Sequence, residues 1–206
     1  MSLYDKLLTT YGTNEPILSN EIEYEGYSRP WLYKELNRLC ESGQLVRYEK
    51  GIYYIPVQTP LGSSVLNPGK VIEKKYIRNT SGTIGYYSGA TFLNRLGLSS
   101  QMPNTIEIYT NNETAKVREV TVGKQKVILR KARTPINADN AAIQSFLELM
   151  NAVPASFFDD ERRALTTQFI VQNNITRKAI TQYAPAFPDR AMRTMIESEV
   201  IYSVAQ

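Results

Sequence analysis

Apolar positions recur first at helical spacing, then in alternation, then at helical spacing again. Leu3, Tyr4, Leu7 and Leu8 lie one helical turn apart and Gly12 follows, which predicts a short opening helix. Ile17, Leu18 and Ile22 in EPILSNEIEYEG suggest a second short helix, whose Glu21, Glu23 and Glu25 would face away from any polyanion. SRPWLYKELNRLCES predicts a third. Ser28 is a favourable N-cap and Pro30 suits the first turn. At 100° per residue Leu32, Leu36, Leu39 and Cys40 share one face, which assigns Cys40 to core packing. Pro30, Lys34, Asn37, Arg38 and Glu41 take the opposite face, with Trp31 and Tyr33 at its margins, and Gly43 predicts a left-handed cap. Leu45 to Tyr48 and Ile52 to Ile55 then read as two strands around the turn Glu49-Lys50-Gly51.

VQTPLGSSVLNPG, residues 57–69, carries prolines and glycines but no charge and reads as a linker. KVIEKKYI is a short basic helix or strand, and a helix is expected from about Tyr86 to Leu96. TIEIYT, KVREVTV and KVILRKA alternate like antiparallel strands, with Gly123-Lys124 as a hairpin turn. From Ala138 onward four segments follow a helical period, punctuated by Pro154, Pro185 and Pro188. The pattern predicts an α+β chain in three parts. Residues 1–57 form a winged helix-turn-helix of three helices and a hairpin. Residues 58–69 link it to a mixed α/β domain, 70–206, with strands over about 105–131 and an all-helical end from about 138.

Composition narrows the chemistry. The sequence has no histidine and one cysteine, which removes Ser-His and Cys-His catalysis, a disulfide framework and a Cys-based zinc site. No apolar run approaches a membrane span, and MSLYDKLLTTYG lacks the basic start and apolar middle of a signal peptide, so a cytoplasmic protein is expected. Asp159, Asp160 and Glu161 form the densest acidic cluster but fit the first turn of a helix. Gly82 and Gly85 lack the GK[ST] ending of a phosphate loop and read as turn glycines. Tyr86, Tyr87 and Tyr109 read as core or interface residues rather than base-stacking platforms. Neither an enzyme, a metal nor a cofactor is expected.

Charge is uneven. Residues 1–57 carry 6 Lys/Arg against 8 Asp/Glu, residues 58–134 carry 12 against 4, and residues 135–206 carry 6 against 8. The middle third is therefore the place for an auxiliary polyanion contact, at Lys70, Lys74, Lys75 and Arg78. The groove-reading chemistry belongs to the third helix and the hairpin. Ser28, Arg29, Trp31, Tyr33, Lys34, Asn37 and Arg38 are the candidate contacts on the helix, with Arg47 and Lys50 on the wing.

Two blocks resemble the AbiEi-like antitoxins. In GQLVRYEKGIYYIP the matching residues are Gly43, Leu45, Arg47, Gly51 and Tyr53. In YSGATFLNRLGLSSQMP they are Ser88, Gly89, Leu93, Asn94, Leu96, Gly97, Leu98, Gln101 and Pro103, and the likeness covers roughly residues 28–135. The resemblance implies a type IV toxin–antitoxin (abortive infection) system. The winged domain would repress its own promoter at inverted repeats on double-stranded DNA. The C-terminal domain would counteract a nucleotidyltransferase-like toxin, with no direct binding expected and the oligomeric state open. The alternative is a winged-helix regulator with no toxin partner, whose C-terminal domain senses a ligand or dimerises.

Overall fold

A computed structural model of the protein describes residues 2–60 and 62–204. The chain is mixed α+β and divides into two compact units, 1–74 and 75–206.

In the first unit, α1 (Leu3–Tyr11) is closed at its start by a capping box. The Ser2 hydroxyl accepts from the Asp5 amide, and the Asp5 carboxylate accepts from the Ser2 amide. The expected second helix is absent. Ile17–Leu18 is instead a strand, β1, and residues 19–28 run through turns and bends to α2 (Arg29–Glu41). The reason is tertiary. β1 pairs with β3 (Ile52–Tyr54), and the guanidinium of Arg29 takes the carbonyls of Ser19, Asn20 and Ile22, which a helix would have bonded internally. In α2 the Ser28 hydroxyl caps the Trp31 amide, Leu32, Leu36 and Leu39 are buried, and Gly43 follows the helix at φ +74°. The hairpin β2 (Val46–Glu49) and β3 (Ile52–Tyr54) completes an antiparallel sheet of order β1-β3-β2, with a bulge between Arg47 and Glu49. Leu3, Leu7, Ile17, Leu32, Leu36, Leu39, Leu45 and Tyr53 make one core, so α1, α2 and the sheet hold a common apolar face.

The 58–69 segment, expected to be a linker, contains a second small hairpin, β4 (Gln58–Thr59) with β5 (Gly62–Ser63). It is tied back to its own unit by the Ser64 hydroxyl, which donates to the Asn14 side chain at 2.5 Å. All of KVIEKKYI but its last residue, Ile77, lies within helix α3 (Pro68–Tyr76), and the division between units falls in the helix's last turn.

The second unit opens with β6 (Arg78–Asn79) and β7 (Gly82–Thr83), a two-stranded ribbon. The helix expected from Tyr86 begins later. Gly85–Ser88 is a strand, β8, and helix α4 spans Gly89–Arg95. Adjacent tyrosines suit a strand, and Gly89 makes the corner at φ +54°. β9 (Thr105–Thr110), β10 (Val117–Val122) and β11 (Gln125–Lys131) join β8 in a sheet of order β10-β11-β9-β8. Gly123-Lys124 is the two-residue turn of the β10–β11 hairpin. The expectation of purely antiparallel strands fails at one place: β11 returns between β10 and β9 and runs parallel to β9. Side-chain alternation is the same in both pairings and cannot distinguish them.

Helices α5 (Ala141–Ala152), α6 (Asp160–Gln172), α7 (Arg177–Tyr183) and α8 (Asp189–Glu197) make up the rest. α5 is the centre of this part: every residue from Ile143 to Met150 is buried, and Phe146, Leu147 and Met150 anchor the helical core. Asp159, with its carboxylate accepting from the Arg162 amide, is the N-cap of α6. α8 ends at Glu197, and Glu199 in the turn that follows has φ +64°. No helix of the described residues is long and apolar enough to cross a membrane.

Candidate nucleic-acid interface

Burial of the leucine face of α2 fixes what remains outside. Lys34 and Asn37 project from the opposite face, and neither has a hydrogen-bonded partner among the described residues. Tyr33, on the same exposed side, is 45% accessible. Arg47 on β2 and Lys50 in the turn are exposed and likewise unpaired. These cations and the Asn37 amide belong to a helix and a hairpin joined by residues 42–45, whose Leu45 amide donates to Leu39 O at 3.1 Å.

Other expected contacts are already engaged within the protein. Arg29 clamps the turn before α2, at 2.9 Å to Ser19 O, 3.3 Å to Ile22 O and 3.2 Å to Asn20 O. Trp31 lies in an aromatic stack, 3.9 Å from the Tyr27 ring centre and 5.4 Å from that of Tyr24. The Ser28 hydroxyl is spent on the cap. Arg38 makes a forked ion pair with Glu35, both Glu35 oxygens lying 3.0 Å from Nε, yet its side chain stays 61% exposed. The hydrogen bond from Arg38 holds the Glu35 carboxyl below its ordinary range. Such a pair on an open surface is worth little, so Arg38 can leave Glu35 for a phosphate at small cost.

The auxiliary cations divide in the same way. Lys70 pairs with Glu15, and Lys74 pairs with Glu21 at 3.0 Å while lying over the Tyr11 ring. Lys75 lies over the Tyr76 ring, and Arg78 is exposed on β6.

A polar network in the second unit was not legible in the sequence. The Glu148 carboxylate, on α5, accepts from the Tyr109 hydroxyl at 3.0 Å and from Arg133 Nε at 2.8 Å. Burial first, and the Glu148 charge second, push the Tyr109 phenol up to about 12, and Tyr86 is raised in the same direction. A phenol so raised stays protonated and serves as a fixed donor to Glu148. Nearby, Glu113 is only 5% exposed. Burial opposes its ionisation, but the amides of Ala115 and Thr114 and the Arg118 guanidinium outweigh that and hold its carboxyl below the usual range. Among the described residues no three acidic or sulfur side chains are grouped to hold a metal ion.

The chain is thus an α+β protein with an exposed cationic helix-and-hairpin surface on its first unit. Residues 19–152, more than half of its length, match the model of a family of unknown function (DUF6088), and the chain belongs to that family. The matched span starts at the turn clamped by Arg29 and ends with α5, so it takes in parts of both units. No curated protein matches the chain.

Proposed function

We propose that the chain is a DNA-binding autorepressor and antitoxin that counteracts a nucleotidyltransferase-type toxin. One observation carries the DNA-binding part. The three-stranded sheet has the order β1-β3-β2 and shares a core with α2, while the opposite face of α2 and the β2–β3 hairpin present unpaired Lys34, Asn37, Arg47 and Lys50. That order supports a winged-helix reading, with a clamped turn in place of the middle helix. In it α2 enters the major groove, Asn37 addresses an adenine edge, Arg38 exchanges Glu35 for phosphate, and Arg47 and Lys50 hold the backbone beside the groove. Arg29, Trp31 and Ser28 set the angle at which α2 is presented.

The antitoxin part rests on the two blocks similar to AbiEi-like antitoxins, residues 43–56 and 87–103. Both tasks can be tested in the full chain. Lys34, Asn37, Arg47 and Lys50 are replaced together by alanine, and the variant is expressed from a foreign promoter. It should lose the mobility shift on the gene's own upstream DNA and still rescue cells from a co-expressed nucleotidyltransferase encoded beside it. Unchanged DNA binding would remove the groove model. Failure of the unaltered chain to rescue would remove the antitoxin and leave a winged-helix regulator.

A further inference from the structure

A cavity of about 370 Å³ lies wholly within the second unit. Its size is that of sites for small organic ligands. Tyr86, Tyr87, Phe92 and Phe169 give it an aromatic wall, and Ala141 and Ala142, at the start of α5, leave the space open. Two charged side chains line it, Arg78 and Arg95, and no acidic residue does so among the described residues. Neither arginine has an ion pair among the described residues, whereas Arg118, Arg130 and Arg133 of the same unit each have one. Arg95 is also held in place: its guanidinium carbon lies 3.6 Å from the centre of the Tyr87 ring. A guanidinium laid on an aromatic face keeps the N–H donors along its edge free for an oxyanion.

The backbone adds to the same field. Asn140, the N-cap of α5, spends its side chain on Asn137, Pro135 and Tyr183 and caps none of the first-turn amides. The positive end of a twelve-residue helix therefore meets the cavity at Ala141 and Ala142. Tyr86, 5% exposed, lines the cavity too, and its hydroxyl has no hydrogen-bond partner among the described residues.

We propose that this cavity binds a small organic anion, with an aromatic or branched apolar body against Tyr87, Phe92 and Phe169 and one carboxylate or phosphate head between Arg78 and Arg95. The site shares Arg78 with the auxiliary polyanion surface and Tyr87, Phe92 and Arg95 with the second antitoxin-like block, but its test, a titration with small molecules, depends on neither DNA binding nor rescue.

The test is an amide NMR titration of the full chain with benzoate, phenyl phosphate and the neutral analogue benzyl alcohol. One or both anions should shift the amides of Tyr87, Arg95 and Ala142, and the better anion should bind about tenfold or more tightly than the alcohol. Which anion binds better identifies the head group. Arg78→Gln with Arg95→Gln should weaken the anion about tenfold and leave the alcohol unchanged. Ala142→Leu, which fills the space with another strong helix former, should abolish both. The proposal is overturned if neither anion shifts these amides at about 10 mM, if the alcohol binds as well as the anions, or if the double glutamine variant binds them undiminished.

Discussion

The carboxylate of Glu107 fills the space in which a side chain on Gly89 would begin: a β carbon built there overlaps Glu107 Oε1. Gly89 is also the left-handed corner, φ +54°, between β8 and α4. Around it, the Thr91 hydroxyl donates to Thr105 O and accepts from the Glu107 amide, and Asn94 Nδ2 donates to Ser99 O and Gln101 O. The block YSGATFLNRLGLSSQMP is thus a structural joint that fastens α4 to β9. Gly89→Ala should cost about 2–3 kcal/mol, part from the backbone and part from the overlap. Glu107→Ala in the same chain should recover the steric part, so that thermal or urea unfolding of the two single variants and the double variant gives a non-additive cycle.

Asn37 and Arg47 should fail in different ways. If Asn37 reads a base edge, Asn37→Ala loses about 1–3 kcal/mol of discrimination between the operator and a variant site while keeping most non-specific affinity. Arg47→Ala weakens all sequences alike and reduces the slope of log affinity against log salt by about 1. Competition mobility shifts at several salt concentrations separate the two.

Arg29 is expected to act through folding. Its three bonds to backbone carbonyls hold the turn that replaces a helix, so Arg29→Gln should lower unfolding stability by about 1–2 kcal/mol. At temperatures where the variant is folded, the salt dependence of its DNA binding should match that of the unaltered chain. A shallower slope would make Arg29 a phosphate contact.

Glu113 gives a pH signature. Its folded carboxyl lies below the ordinary value, so the ionised form stabilises the fold above the ordinary carboxylate range. That contribution is lost as pH falls through the lowered folded value. Glu113→Gln should therefore melt below the unaltered protein near neutral pH, and the difference should shrink as pH drops below about 4. A difference independent of pH would place the stabilisation in packing and not in charge.

Glu148 and Arg133 form the costliest pair to break. Glu148→Ala leaves Arg133 and the Tyr109 hydroxyl without their acceptor and should cost about 2–4 kcal/mol by chemical unfolding. Removing both charges together should cost less than the sum of the single changes.

Local chemistry determined a good deal in the sequence alone. Ser28, the Leu32/Leu36/Leu39 spacing and Gly43 fix α2, because a cap, an apolar period and a left-handed residue act within a few positions of one another. The same holds for the Lys50-Gly51 and Gly123-Lys124 turns and for Asp160 and Glu161 in the first turn of α6. Tertiary structure decided what depends on partners far along the chain. Ile17 and Leu18 became a strand because β3 was there to pair with and Arg29 took the carbonyls of the next turn. β11 chose a parallel neighbour that its alternation could not specify. Of the cations singled out from composition, Arg29, Lys70 and Lys74 found partners within the fold while Lys34, Arg47 and Lys50 did not. Charge is a property of a residue, but its availability depends on what the folded chain brings within a few ångströms, and for Arg78 and Arg95 that is a cavity that no carboxylate lines among the described residues.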